Sequence, residues 1–291
     1  MVGARGHYEN FPVASVLLPP AMRPHVAALY AFARTADDFA DEGNVPASDR
    51  LRLLDGWHKR LSHAAVYAEA GDPPAPGEPA DTVEIFLALG RSIRERLLPV
   101  SLFEDLLSAF RQDVTVTRYA TWRDLCDYCR RSANPVGRLV LRIGGYEDGR
   151  LDEWSDNICT ALQLTNFWQD LKTDFARGRI YLPLEEQRRH AAAEEELRQP
   201  GLPQNWKGAM AAAARRTRAL FDAGRPLCDA VRGRLRYELR VTWLGGTRIL
   251  DRLERAAFDR RPVLGPGDAP WFVSRMLTWK AVAGGPIAGG L

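Results

Sequence analysis

Two aspartates stand one helical turn apart at Asp37 and Asp41, within Arg34-Thr-Ala-Asp37-Asp38-Phe-Ala-Asp41-Glu42, and the spacing returns at Asp170 and Asp174. An α-helix rises about 1.5 Å per residue at 3.6 residues per turn, so each pair stacks like charges on one helix face. A helix tolerates that in full solvation, or around a cation. Apolar residues surround both stretches: Ala28, Leu29 and Phe32 precede the first, and Leu162, Leu164, Phe167 and Trp168 flank or sit within the second. Ionised carboxylates in that setting need a partner, because burying them alone is prohibitive. A solvated acidic face accounts for either stretch alone. Two acidic helices packed face to face would instead form an all-oxygen cage, suited to Mg²⁺ carrying a phosphate-bearing substrate.

The rest of the composition is compatible with that cage. Apolar residues at 46% of 291 supply an ample core, and 40 Lys and Arg against 37 Asp and Glu leave a charge of +3, too small to point to nucleic acid. Arginines crowd the stretch with Arg232, Arg234, Arg236 and Arg240, which reads as a solvated helix face. No run of 18 apolar residues occurs, and Met1 to Pro20 lacks the order of a signal peptide, so a cytoplasmic protein is expected. Cys126, Cys129, Cys159 and Cys228 fit a reducing compartment, and Cys126-x-x-Cys129 has no second pair or nearby His to make it a metal site.

Periodicity and breakers predict helices and no sheet. The expected spans are Ala21 to Glu42, with Gly43 as stop, then 49 to 70, 81 to 97, 101 to 113, and 121 to 143 with a kink at Pro135. After these come 151 to 173, 183 to 197, 203 to 230, 232 to 258 and a short helix at 271 to 282. The proline-rich stretch 71 to 79 is a loop between helices, and Arg177 to Pro183 is a basic loop just beyond Asp174. His58 and His63 are expected at the surface. The chain thus reads as one all-α domain over residues 1–291, with an irregular entry at 1–20 and a frayed tail at 284–291.

Diphosphate esters ionise when the departing charge is neutralised. Asp37, Asp41, Asp170 and Asp174, with Asn166 as a neutral oxygen ligand, are the residues that would hold several Mg²⁺ ions for this purpose. Arg34, Lys172, Arg177 and Arg179 would hydrogen-bond the departing phosphate oxygens. The carbocation left behind needs apolar and aromatic walls, for which Phe11, Tyr30, Tyr128, Phe167 and Trp168 are the candidates.

With these residues the chain resembles the squalene and phytoene synthase family over nearly its whole length, from Phe11 to about Arg255. Tyr30-x-x-x-Arg34-x-x-Asp37-Asp38-x-x-Asp41 is similar to the family's first aspartate-rich motif, and Gln163-x-x-Asn166-x-x-x-Asp170-x-x-x-Asp174 to its second. Tyr128, Ala133, Val136 and Gly137 match its flexible helix, and Arg179-Ile-Tyr181-Leu-Pro183 the loop after the second motif. The resemblance implies the isoprenoid synthase fold around a central cavity, Mg²⁺ as cofactor and prenyl diphosphates as substrates.

Several residues point to one branch. Gln169 stands where most condensing members carry Arg, and Ser132-Ala133-Asn134, preceded by Arg130-Arg131, stands where the family usually has a small apolar Val-Ala-Gly. Together with Asn10-Phe-Pro-Val-Ala-Ser15, these resemble the hydroxysqualene synthase branch of bacterial hopanoid pathways, which ionises presqualene diphosphate and captures the rearranged cation with water. Asn134, with Ser132, is then the expected holder of that water. Converting one diphosphate rather than two also makes an arginine at 169 dispensable. The alternatives are head-to-head condensation of two prenyl diphosphates, or a non-catalytic relative that assembles with other squalene-pathway enzymes. No dinucleotide fingerprint is present, so NADPH is not expected, and the apolar product implies contact with the inner membrane surface.

Overall fold

A computed structural model describes residues 17–41, 45–67, 69 and 71–281. The described residues form helices with no strand, apart from a single parallel bridge between Arg118 and Ile180. The order is α1 (Arg23–Asp41), α2 (Ala47–Val66), α3 (Thr82–Arg96), α4 (Val100–Asp113), α5 (Trp122–Ser132), α6 (Asn134–Ile143) and α7 (Gly149–Ala176). There follow α8 (Leu184–Arg189), a 3₁₀ turn at Glu194–Arg198, α9 (Gln204–Gly224), α10 (Leu227–Ala230) and α11 (Gly233–Arg255). A second 3₁₀ turn, Pro266–Asp268, leads into α12 (Ala269–Leu277).

Helix α7 is the axis of the molecule. Its 28 residues span about 42 Å. Asp148 caps it, accepting from the Arg150 and Leu151 amides at 2.8 and 3.3 Å. It is packed by α5, α6, α9 and α11, which is why apolar residues appear around it rather than along one stripe. Two apolar clusters lie along the bundle. One joins α1 to α4 with α6, α10 and the start of α11; the other joins α5, the second half of α7, α9 and the end of α11. Leu162 and Trp243 pack against both.

Several expected helices divide where the backbone is interrupted. The span 121 to 143 breaks fully at Ala133 instead of kinking, so Pro135 falls in the first turn of α6, where its missing N–H costs nothing. Thr121 and Asp124 form a reciprocal capping box that starts α5. The span 183 to 197 ends at Arg189, because Ala191 turns left-handed at φ 52° and the Ala192 amide closes back on the Gln187 carbonyl at 2.9 Å. With Ala in place of Gly, the sequence carries no visible stop there. The span 203 to 230 divides before Pro226, and the last helix starts at Ala269 and ends at Leu277.

The arginine stretch is only partly a solvated face. Arg232 and Arg234 are exposed. Arg236 Nε donates to the Val231 carbonyl at 2.7 Å, and Arg240 reaches the Cys228 carbonyl and Asp229 Oδ1 at 3.2 and 2.6 Å, closing off the end of α10. His63 is exposed, while His58 is partly exposed beside Glu104. All four cysteines are free, with Cys126 exposed and Cys129 buried, so the pair faces two environments.

Candidate active site

Asp37 and Asp41 end α1, and Asp170 and Asp174 occupy the last turns of α7. Partial burial and then Asp41 push the Asp37 carboxyl up to about 7, while Arg34 and Arg179 pull the other way. Asp174 is also pushed up to about 7, by burial and then by Asp170, with a further push from Asp41. Asp41 of α1 is therefore within electrostatic reach of Asp174 of α7. Arg179 stands between them, its Nη1 donating to Asp41 Oδ1 at 2.6 Å and its Nη2 to the Asp113 carbonyl at 2.8 Å.

The loop carrying Arg179 is pinned from both sides. Gly178 takes φ +82°, a conformation open to glycine, and so turns the chain out of α7. The Ile180 amide then donates to the Thr117 carbonyl at 3.1 Å, and Arg118 Nη1 to the Gly178 carbonyl at 2.7 Å. Arg34 remains on α1, 2.7 Å from Asp38 and 3.7 Å from Asp37. Arg177 caps α7 close enough to lower the Asp174 pKa, but its side chain is exposed.

Behind the acids lies an aromatic group. Tyr181 stacks on Phe167 with ring centroids 3.6 Å apart and planes 4° from parallel, and Tyr128 lies 6.1 Å from each ring. The Tyr128 hydroxyl donates to Asp113 Oδ2 at 2.8 Å. Burial, followed by Asp113, raises both the Tyr128 and Tyr181 pKa values far above the ordinary range, so both phenols keep their protons. Asp113 itself is only 6% exposed, its Oδ1 has no partner, and burial pushes it up to about 8.

A cavity of about 360 Å³ opens beside Arg34 and Asp37. Tyr30 and Ala33 line it from α1, Phe110 from α4, Ser132, Ala133, Val136 and Gly137 from the α5–α6 break, and Leu239 and Thr242 from α11. Along α7 its wall runs from Asn166 through Gln163 and Cys159 to Ser155, about 16 Å of helix. The wall depends on Gly137: a Cβ there would lie 2.3 Å from Ser155 Oγ and 2.5 Å from Cys159 Sγ. Among the described residues this is a largely apolar hollow whose lining includes one carboxylate, Asp37, beside Arg34.

Other sequence-based expectations are corrected. Asn134 is 6% exposed and turned into the α6–α7 contact, where its Oδ1 accepts from Thr160 Oγ1 at 2.9 Å; it does not line the cavity. Ser132 does, with a buried hydroxyl that has no partner. Lys172 points away from the acids, because its place on α7 aims it at the Gln199 and Gly201 carbonyls. Phe167 is taken up in the stack with Tyr181 rather than in the cavity wall, and Trp168 is buried against α9, donating to Thr217 Oγ1 at 2.8 Å. Gln169 donates to the Pro262 carbonyl, also away from the cavity. Arg130 and Arg131 stay outside it, with Asp127, Ser108 and Gln112 as partners. Phe11 lies outside the described residues.

Two residues near the acids carried no sequence signal. Asp113 ends α4 without a carboxylate one turn away, and only the fold brings it to Tyr128. Arg261 reaches back from the loop after α11 to pair with Asp170. Its sequence separation of 91 residues makes that contact invisible in a linear reading.

Comparison with known proteins identifies the family. A hydroxysqualene synthase of Zymomonas mobilis is 42% identical over 185 residues, covering 63% of this chain and 58% of that protein. A hydroxysqualene synthase of Rhodopseudomonas palustris is 35% identical over 252 residues, 84% of this chain and 80% of that protein. The crystal structure of squalene synthase HpnC from Alicyclobacillus acidocaldarius superposes with a TM-score of 0.76 at 38% identity, covering 87% of this chain and 91% of that one. A dehydrosqualene synthase bound to a ligand shares the fold with the same TM-score at 21% identity, over 90% and 88% of the two chains. The squalene/phytoene synthase family model matches residues 4–268. The chain has the isoprenoid synthase fold, is a prenyl diphosphate-processing enzyme, and belongs to the squalene/phytoene synthase family.

Proposed function

We propose that this enzyme ionises presqualene diphosphate with Mg²⁺ and lets water capture the rearranged cation, giving hydroxysqualene and diphosphate. The observation that supports the reading is that Asp37 of α1 and Asn166 of α7 line one apolar cavity, with Asp41 close enough to Asp174 to raise its pKa. The hydroxysqualene synthases at 35 to 42% identity support the choice of branch.

The donor set fits Mg²⁺. Asp37, Asp41, Asp170 and Asp174, with Asn166, offer hard oxygen ligands, and two of the carboxyls are held up to about 7 by burial and repulsion that a cation relieves. Among the described residues no three His, Cys, Asp or Glu side chains form a ready metal cage. Mg²⁺ keeps several waters and takes further oxygens from substrate phosphates, so it needs only one or two carboxylates from each helix. When bound, Mg²⁺ neutralises charge on the departing diphosphate.

The protein's own groups do the rest. Arg34, Arg177 and Arg179 surround the acids and donate hydrogen bonds to phosphate oxygens; Arg179 does so on exchanging Asp41 for the ligand. Tyr30, Ala33, Ala133, Val136 and Gly137 present surfaces that cannot add to a cation, and Gln163 supplies an amide on the α7 side. Tyr128, fixed by Asp113, presents an aromatic ring to the cavity and is backed by the Tyr181–Phe167 stack. Ser132, whose hydroxyl is unpartnered on the cavity wall, takes over from Asn134 as holder of the capturing water. The enzyme works in the cytoplasm and meets the inner membrane surface to exchange apolar material.

The test is turnover of purified protein with Mg²⁺ in heavy-oxygen water. Presqualene diphosphate should yield diphosphate and a labelled alcohol, and farnesyl diphosphate alone should yield nothing. Product from farnesyl diphosphate alone would assign condensation instead. Asp37→Asn and Asp170→Asn protein should lose diphosphate release; full activity in both would refute the metal assignment.

A further inference from the structure

Helix α12 inverts the usual relation between hydrophobicity and burial. Seven of its nine residues are Ala, Pro, Trp, Phe, Val, Met or Leu, yet none is buried, whereas the ten-residue α6 buries six. Val273 is 58% exposed and Leu277 82%. With Ala269 and Pro270 they form an apolar groove along one side of the helix. Exposed apolar surface of this kind, continuous and rimmed by charge, marks an interaction site.

The rim selects the partner. From Arg260 to Ala281 there are four basic residues against one acid. That acid, Asp268, is buried against Arg248 and Arg252, and Asp259 just upstream is engaged by Lys207. Among the described residues Arg260, Arg275 and Lys280 are exposed and meet no carboxylate. Trp271 lies under the Arg248 and Arg275 guanidinium groups at 4.6 and 5.7 Å, and Trp279 lies 4.8 Å from those of Arg225 and Arg240. With Trp271 and Trp279 holding the helix to the bundle by its other side, an apolar strip beside cations that meet no carboxylate matches the boundary between anionic headgroups and acyl chains. The loop that leads into α12 also reaches the acid cluster, where Arg261 pairs with Asp170.

We infer that α12 and the loop before it form the surface by which this enzyme docks on an anionic phospholipid bilayer, setting the mouth of the cavity beside the membrane. The inference rests on the proposed apolar substrate for its purpose, but not for its test. The docking needs no substrate, so it is read by sedimentation with vesicles, and diphosphate release is read separately. Wild-type protein should partition at least about tenfold more strongly onto vesicles of equimolar phosphatidylcholine and phosphatidylglycerol than onto phosphatidylcholine alone, and less so as salt rises. Val273→Glu/Leu277→Glu protein should lose that binding while releasing diphosphate from detergent-dispersed substrate at the wild-type rate. Wild type remaining in the supernatant with both vesicles, or the double variant sedimenting like wild type, would overturn the inference. So would light scattering that shows a dimer broken by the double variant without vesicle binding, which would make the face a contact between copies. Binding seen only after removal of residues 282–291 would also overturn it, by assigning the groove to the chain's own tail.

Discussion

Replacing Asp113 by Asn removes a titrating carboxyl from beneath the acid cluster while leaving an oxygen to accept the Tyr128 hydroxyl. In the folded protein burial pushes Asp113 up to about 8, against an ordinary 3.8. Between those values the folded chain holds a proton that the unfolded chain has released, so Asp113 makes the protein less stable as pH rises through this window. One proton is worth about 1.4 kcal/mol per pH unit. From pH 6 to pH 8, with the slope flattening near the folded pKa, the loss comes to about 2 kcal/mol. In a chain of this size that is a shift of roughly 5 °C in Tm. The asparagine variant has no such titration, so its Tm measured by calorimetry with a chelator present should gain that much on wild type between pH 6 and pH 8. Parallel curves across that range would refute the buried, protonated carboxyl, and with it this account of how Tyr128 is held.

Mg²⁺ affinity measured by titration calorimetry should fall at least roughly tenfold from pH 8 to pH 6, because protons compete for Asp37 and Asp174, both held up to about 7. Arg179→Met protein should lose about a hundredfold or more in diphosphate release while binding Mg²⁺ more tightly, since the cation that occupies Asp41 is gone. Gly137→Ala should cost about 1–3 kcal/mol in urea unfolding by forcing α6 off α7, and the added changes Ser155→Ala and Cys159→Ala should recover most of it. Ser132→Ala should shift product from the alcohol toward hydrocarbon in chromatographic analysis. Asn134→Gly should lower stability by breaking the Thr160 contact but leave the product ratio alone.

Helix periods, the proline and glycine breaks, and the two i, i+4 aspartate pairs are local properties of the chain. They were legible because one helical turn relates residues that are neighbours in sequence. The same locality makes Tyr30, Arg34, Gln163 and Asn166 readable, since each shares a helix with an acid pair. It fails at Ala191, whose left-handed backbone ends α8 without a glycine to mark it. It fails again for Asn134 and Lys172, whose residue types suited the chemistry but whose helix faces point elsewhere.

By itself, then, the sequence determined an all-α chain with two acidic helix ends, and through its motifs the family of prenyl diphosphate enzymes. Only the tertiary structure decided that Asp113 lies under Tyr128, that Arg179 bridges Asp41 and the end of α4, that Arg261 returns to Asp170, and that Ser132 rather than Asn134 faces the cavity. These relations depend on how helices distant in sequence are packed and rotated against one another, and a rotation of one residue, about 100°, is enough to turn a side chain from a cavity into a neighbouring helix.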